Sequence, residues 1–315
     1  MAVLATSASD GLFLSNGEQM KVGTFALDLI QKQFQKFVKH KASVLQDEDP
    51  EPLHQMRVGI RRLRSALFFL APFIDLSPAL NTDLAKISRC LGRVRDLDVL
   101  GLWLQTYLTC DRLNPKEQKQ LRTVTERLAQ TRQKQFRRMV RMLNGKRYRR
   151  AIAQFQAWLD HPQLKAGAHW PFALVLPDLL MPVLHQWFKH PGWLVQAPDV
   201  VLHDLRKLTK ALRYQNEFLA PFYGTALTDD IEDFKTIQDT LGELQDIAVF
   251  RRFLTQELGS DWATDLPWLQ LDLDQQQNDG WYHWQIFQHK YLSASARTQL
   301  RNRMANPTQS TQSAP

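Results

Sequence analysis

The 315-residue chain repeats itself once, at long range. Leu53-His-Gln-Met-Arg-Val-Gly-Ile-Arg-Arg-Leu-Arg64 runs on to Phe-Leu-Ala-Pro-Phe73. Leu202-His-Asp-Leu-Arg-Lys-Leu-Thr-Lys-Ala-Leu-Arg213 runs on to Phe-Leu-Ala-Pro-Phe222, 149 residues later and without a gap. Ten of the 22 positions from Leu53 onward are identical, too many for two unrelated basic helices. A second block follows each copy in the same order. Ile87 to Val99 aligns with Ile237 to Val249 at an offset of 150, sharing Leu-Gly-x-x-x-Asp-x-x-Val. A period this long implies two related subdomains of about half the chain each, and excludes a short-repeat solenoid.

Periodicity is helical almost everywhere. Phe25, Leu29, Ile30, Phe34 and Phe37 recur at helical spacing. So do Leu121, Val124, Leu128 and Thr131, within a segment from about Pro115 to Leu143. Alternating β-branched runs are few. Breaks fall at Pro50/Pro52, Pro72 to Pro78, Asn114-Pro115, Asn144-Gly145, His161-Pro162, Pro191-Gly192, Pro198 and Pro221 to Gly224. The expectation is an all-α fold of about eight to ten helices. Residues 1–19 and 304–315 read as disordered tails, the latter being rich in Pro, Ser, Thr and Gln.

Forty Lys+Arg against 32 Asp+Glu give a net charge of +8, which favours a polyanionic partner. The charge is uneven. Arg132 to Arg150 holds nine Lys/Arg and no acid, whereas Asp229 to Asp279 holds thirteen acids against Lys235, Arg251 and Arg252. That pattern suits a focused site better than a uniformly sticky surface. Two cysteines, Cys90 and Cys110, lack metal-ligand spacing and point to a reducing compartment. No apolar run is long enough to span a membrane and no secretory signal is legible, so a cytoplasmic location is expected.

The duplicated helices carry the chemistry. His54, Arg57, Arg61 and Arg64 step by three, four and three, and fall within about 80° of arc. Met56, Ile60, Leu63, Leu67 and Leu70 form the adjoining apolar face. His203, Arg206, Lys210 and Arg213 repeat the stripe, and Arg62 and Lys207 flank the two copies. Stacked cations without acids repel one another unless an anion screens them. Arg presents a fork suited to phosphate oxygens, and Lys adds a point charge. Cations about 5–6 Å apart along a helix suit an extended polyphosphorylated ligand better than one small phosphate. A single run of this kind is ordinarily a solvated face. Its repetition in both halves weighs against that reading. Arg57 with Asp96, or Arg206 with Asp246, would make structural ion pairs.

Signals for catalysis are sparse. There is no phosphate-binding Gly loop with Lys-Ser/Thr, no dinucleotide Gly-x-Gly-x-x-Gly, and no Gly-x-Ser-x-Gly elbow. His54 and His203 stand without His-x-x-x-His or Cys-x-x-Cys companions. Asp96 and Asp98 form a carboxylate pair, but Ala248 replaces the second acid in the other copy. The tryptophans, Trp281 and Trp284 among them, read as core or interface.

These motifs resemble the conserved histidine α-helical domain (CHAD) family. The resemblance is carried by Leu53-His-x-x-Arg57-x-x-x-Arg61-x-Leu-Arg64, Leu91-Gly-x-x-Arg-Asp96-x-Asp-Val99, Lys146-Arg-Tyr-Arg149, Leu202-His-x-x-Arg206-x-x-x-Lys210-x-Leu-Arg-Tyr214 and Leu241-Gly-x-x-x-Asp246-x-x-Val249. It covers about residues 20–303, with halves of about 20–165 and 166–303. It implies two four-helix-bundle subdomains, related by a pseudo-twofold axis, around a central basic cavity. It also implies binding of inorganic polyphosphate without catalysis, cofactor or metal, with targeting to polyphosphate granules as one role. The implied contributors are His54, Arg57, Arg61, Arg64, His203, Arg206, Lys207, Lys210 and Arg213, and Arg62 is added as the flank of the first stripe. Arg93, Arg147, Arg149 and Tyr214 are further candidates. Arg138 and Arg141 are added from the charge run alone. Gln245 stands where the first copy has Arg95, and Ser65 where the second has Tyr214, so the halves need not contribute equally. Some relatives carry a triphosphate-tunnel domain with a Glu-x-Glu-x-Lys motif; that motif does not occur in this sequence. Two other readings stay open on the residues: a metal-dependent phosphohydrolase using His54, His203 and nearby aspartates, and a general polyanion or nucleic-acid binder.

Overall fold

The computed structural model describes residues 19–194 and 197–307. Most of the proposed tails, residues 1–18 and 308–315, therefore lie outside the described residues. Twelve α-helices follow in chain order: α1 (Val22–Val38), α2 (Lys41–Gln46), α3 (Glu51–Phe69), α4 (Pro78–Leu108), α5 (Pro115–Leu143), α6 (Lys146–Asp160), α7 (Phe172–Phe188), α8 (Asp199–Leu219), α9 (Thr228–Leu258), α10 (Trp262–Asp265), α11 (Pro267–Leu292) and α12 (Ala294–Ala305). Among the described residues there is no strand beyond two isolated bridges, Lys21 with Pro171 and Ile74 with Leu164. The fold is all-α.

Local sequence sets the helix ends. Each break read from Pro and Gly falls between helices. Pro78, Pro115 and Pro267 occupy the first position of α4, α5 and α11, where the missing N–H leaves no bond unmade. Asn114 caps α5 by accepting from the Lys116 and Glu117 N–H groups, and the Glu117 carboxylate accepts from the Asn114 N–H. That reciprocal box fixes where α5 begins.

Helix lengths recur along the chain. α1 and α7 each have 17 residues, and α4 and α9 each have 31. α1 packs on α3 and α7 on α8; α3 packs on α4 and α8 on α9; α3 meets α8 across the middle. Among the described residues each half holds five helices of twelve residues or more, not four. The additional helix arises because Asn144-Gly145 divides α5 from α6, and Ser293 divides α11 from α12. The C-terminal boundary is also corrected. α12 continues to Ala305, with Leu300 and Met304 fully buried and the Met304 carbonyl accepting from the Tyr223 hydroxyl at 2.7 Å. Met304 follows Leu300 by one turn, so the apolar face of α12 extends the helix past residue 303.

Two apolar clusters hold the helices. The larger joins α1, α3, α6, α7, α8 and α12 to the first halves of α4 and α9, through residues such as Phe37, Ile60, Phe155, Trp187, Leu205 and Phe234. Gly59 permits its closest crossing: a Cβ there would lie 2.8 Å from the Phe37 Cα, so α3 and α1 touch backbone to backbone. The smaller joins the second halves of α4 and α9 to α5, α10 and α11, through Leu104, Val124, Leu128, Phe250, Leu254 and Leu273. On α4 the first cluster ends at Val94, and on α9 at Leu244. A polar gap opens where the two clusters part.

Candidate functional site

The gap is a cavity of about 430 Å³ between α3, α4, α8 and α9. His54, Arg57 and Arg61 enter from α3; His203, Arg206 and Lys210 enter from α8. α4 supplies Arg95, Asp96 and Trp103, and α9 supplies Gln245, Asp246 and Phe250. Five Arg/Lys side chains and two histidines thus share the walls with two carboxylates.

A glycine of α4 or α9 lies beneath each of two arginines. Arg57 lies over Gly92, where a Cβ would come 3.5 Å from its Nε. Arg206 lies over Gly242, where a Cβ would come 2.6 Å from an Nη atom. Any side chain at Gly242 would lift Arg206 off α9. The shared Leu-Gly-x-x-x-Asp motif thus lies beneath an arginine in both copies, with the aspartate one turn on: Gly242 is needed to admit the Arg206 guanidinium, whereas a Cβ at Gly92 would only touch Arg57 at ordinary contact distance. Arg57 meets Asp96 at 3.2 Å. Arg206 instead donates from Nε to the Gln238 carbonyl at 3.0 Å, and no carboxylate lies within ion-pair distance of it among the described residues. The ion pair expected for the first copy forms, while the second copy anchors its arginine on the backbone of α9.

Several donors in the cavity have no partner. The Nε atoms of Arg57 and Arg61 and the Nδ1 of His203 are buried without a hydrogen bond among the described residues. A buried N–H left unpaired costs about 1–3 kcal/mol. Burial lowers the Lys210 ammonium to about 7, with Arg61, Arg206, Arg57 and Arg213 adding repulsion. Burial first, then Arg95, lowers His54; burial first, then Lys207 and Arg206, lowers His203. Both imidazoles are therefore neutral at pH 7, and the cavity holds its charge on the arginines. These groups are crowded for one another and unfilled by the protein, which is the arrangement an anion would complete.

The other candidates lie elsewhere. Arg62 pairs with Glu217, which also takes Arg213 at 3.2 Å. Tyr214 is fully buried beneath Arg61, Arg62 and Arg213, whose guanidinium carbons stand 5.6, 4.9 and 5.0 Å from its ring centre. Arg62, Arg213 and Tyr214 thus form a support behind Arg61, outside the cavity wall. Arg64 is exposed and lines a separate depression with Phe68 and Lys165, because it lies ten residues, or about 15 Å of helix, beyond His54. Lys207 is exposed and pairs with Asp204 at 2.9 Å. Arg93 lines an outer depression on α4. Arg138 and Arg141 on α5, and Arg147 and Arg149 on α6, are exposed outside the cavity, Arg147 facing Asp83 at 3.7 Å. Asp98, the acid without a counterpart, is bound to Arg132 at 2.8 Å, and Arg132 also holds Asp47. Sequence reasoning missed Arg95. It lies in the duplicated block, but the spacing of α3 and α8 alone gives it no place in a stripe.

The described residues contain no group of three or more His, Cys, Asp or Glu placed to hold a metal ion, and no helix long and apolar enough to cross a membrane. Comparison with known proteins agrees with the fold. The crystal structure of the CHAD domain from the plant Ricinus communis is similar with a TM-score of 0.64 and 21% identity, covering 90% of this chain and 91% of that one. PptA from Streptomyces chartreusis is similar with a TM-score of 0.63 and 15% identity, covering 84% of this chain and 98% of the other. No curated protein matches. The family model described as CHAD domain matches residues 28–255, which takes in Gly92, Gly242 and both histidine helices, and the chain belongs to the CHAD domain family.

Proposed function

We propose that the protein binds inorganic polyphosphate in the cavity between α3, α4, α8 and α9, and does so as a binding module without turning the polymer over. The observation that carries this reading is the cavity itself. Arg57, Arg61, Arg95, Arg206 and Lys210 converge there, the buried Nε donors of Arg57 and Arg61 lack partners among the described residues, and the facing carboxylates number only two. Guanidinium forks and an ammonium match the oxygens of successive phosphates. Val58, Val99, Leu100, Trp103, Val249 and Phe250 complete the wall, and this apolar lining strengthens each charge contact by excluding water. In this reading granule targeting follows from affinity for the polymer, in the cytoplasm, with no cofactor.

Arg206→Ala tests the assignment. Its guanidinium reaches the cavity across Gly242 and makes no ion pair that holds the fold together. A hydrogen-bonded charge of this kind contributes about 1.5–3 kcal/mol, so polyphosphate affinity should fall tenfold or more. Circular dichroism should show the helices intact. A folded variant with wild-type affinity would remove the cavity from the reading.

A further inference from the structure

We propose that a polyphosphate longer than the cavity leaves it on one side only, across an outer cation track formed by Arg57, Arg93, Arg89 and Arg64 on the α3/α4 face. This rests on the polyphosphate reading and adds a second binding site to it, with a direction.

The track begins at Arg57. A depression of about 350 Å³ on the outer side of α4 is lined by Arg57, Ser88, Arg89, Gly92, Arg93 and Asp96. Arg57 and Asp96 also line the central cavity. The two spaces therefore share the Arg57–Asp96 pair as a common wall, and the Arg57 guanidinium packs on Gly92. A polymer held by Arg57 inside has its next phosphates delivered to Arg93 and Arg89, one turn apart on α4 and both exposed. Arg64 comes next. It lies on α3 two turns beyond Arg57 and is exposed; burial first, then the Arg89 charge, lowers its guanidinium. Asp96 is the one carboxylate lining the depression, and Arg57 already holds it.

The second half lacks this track. Arg206 sits over Gly242 as Arg57 sits over Gly92. At the offset of 150, however, Arg89 and Arg93 become Asp239 and Glu243, both exposed. At the offset of 149 that holds for the first block, Arg64 becomes Arg213, which is tied to Glu217. The outer face that attracts phosphate beside α4 repels it beside α9. A duplicated cavity thus has one favourable outlet, and the polymer beyond it is steered by long-range charge.

Calorimetric titration of the full chain with tripolyphosphate and with long-chain polyphosphate separates the sites. In Arg89→Glu/Arg93→Glu, long-chain affinity should fall about tenfold or more and its salt slope by roughly two, while tripolyphosphate affinity changes less than about threefold. In Asp239→Arg/Glu243→Arg, which opens the second face, long-chain affinity should rise several-fold with tripolyphosphate unaffected. Both pairs are exposed on long helices, and circular dichroism checks their folding. Equal losses for both ligands in the first variant, or no loss for the long chain, would overturn the track. A wild-type protein that binds tripolyphosphate but gains nothing from a longer chain would do the same. Failure of the wild type to bind either ligand would overturn the polyphosphate reading beneath it.

Discussion

Lys210→Met is expected to bind polyphosphate ten- to hundredfold more weakly than wild type at slightly acid pH, the range given by about 1.5–3 kcal/mol for a charged contact. The same substitution is expected to raise the unfolding temperature. Lys210 faces Arg61, Arg206 and Arg57 within the cavity, and burial with that repulsion brings its ammonium down to about 7. In the unfolded chain the ammonium returns to about 10.5. Between those values the unfolded state binds the extra proton, so stability rises with pH; below about 7 the charged group imposes its full cost. Methionine keeps the length and removes the charge. Relief of that cost should stabilise the fold by about 1–2 kcal/mol, or a few degrees in Tm. Calorimetry and thermal scanning on the one variant read both effects. Loss of affinity accompanied by loss of stability would show that Lys210 supports the fold, and would contradict its role as a binding group held at a cost.

The same group sets the pH dependence. In the proposed complex, polyphosphate would stabilise the Lys210 ammonium and so raise its pKa above the value near 7 of the free protein. Affinity is then level with respect to Lys210 below about pH 7 and falls as pH rises, by up to about tenfold per unit until the bound-state pKa is passed. At a pH of about 8, binding should take up close to one proton, visible as a buffer-dependent heat. His54 and His203 lie below their ordinary value in the free protein and add a second rise in affinity on acidification. Lys210→Met should lose the upper leg and keep the lower. A wild-type profile that stays flat from about pH 7 to 9 would contradict the coupling.

Much of the fold was legible because punctuation and periodicity are local. Pro115 after Asn114, Pro191-Gly192 and Pro221 to Gly224 each mark a helix end that the structure places within three residues. Gly259 and Ser293 end α9 and α11 without a proline cluster beside them, so the division of the last helices was not legible. Met304 belongs to α12 through a contact with Tyr223, 81 residues away, which no window of sequence contains.

The site divides in the same way. His54, Arg57 and Arg61 of one stripe line a single cavity with His203, Arg206 and Lys210 of the other. Arg64 and Arg213 share the stripe but not the cavity wall, because a stripe has angular order but no end, and the cavity is shorter than the helix. Arg213 has Glu217 one turn on in its own helix, a local pair that the stripe reading passed over, whereas Arg62 gains the same acid only where α8 packs on α3. The run at Arg138, Arg141, Arg147 and Arg149 is dense in charge, but α5 and α6 lie outside α4 and leave it on another surface. Arg95 was visible only as a difference between the copies. Its place in the cavity depends on the way α4 crosses α3.

The central claim is that the cavity takes polyphosphate as polyphosphate, and not merely as negative charge. The most direct measurement is a titration of the purified protein with long-chain polyphosphate at increasing salt, with DNA of equal charge as competitor. The account predicts tight binding that weakens steeply with salt, as counterions are released from the polymer. It predicts that the DNA fails to displace the bound polyphosphate, because a duplex is too wide for a cavity of about 430 Å³. Ready displacement by DNA, or binding that ignores salt, would contradict it.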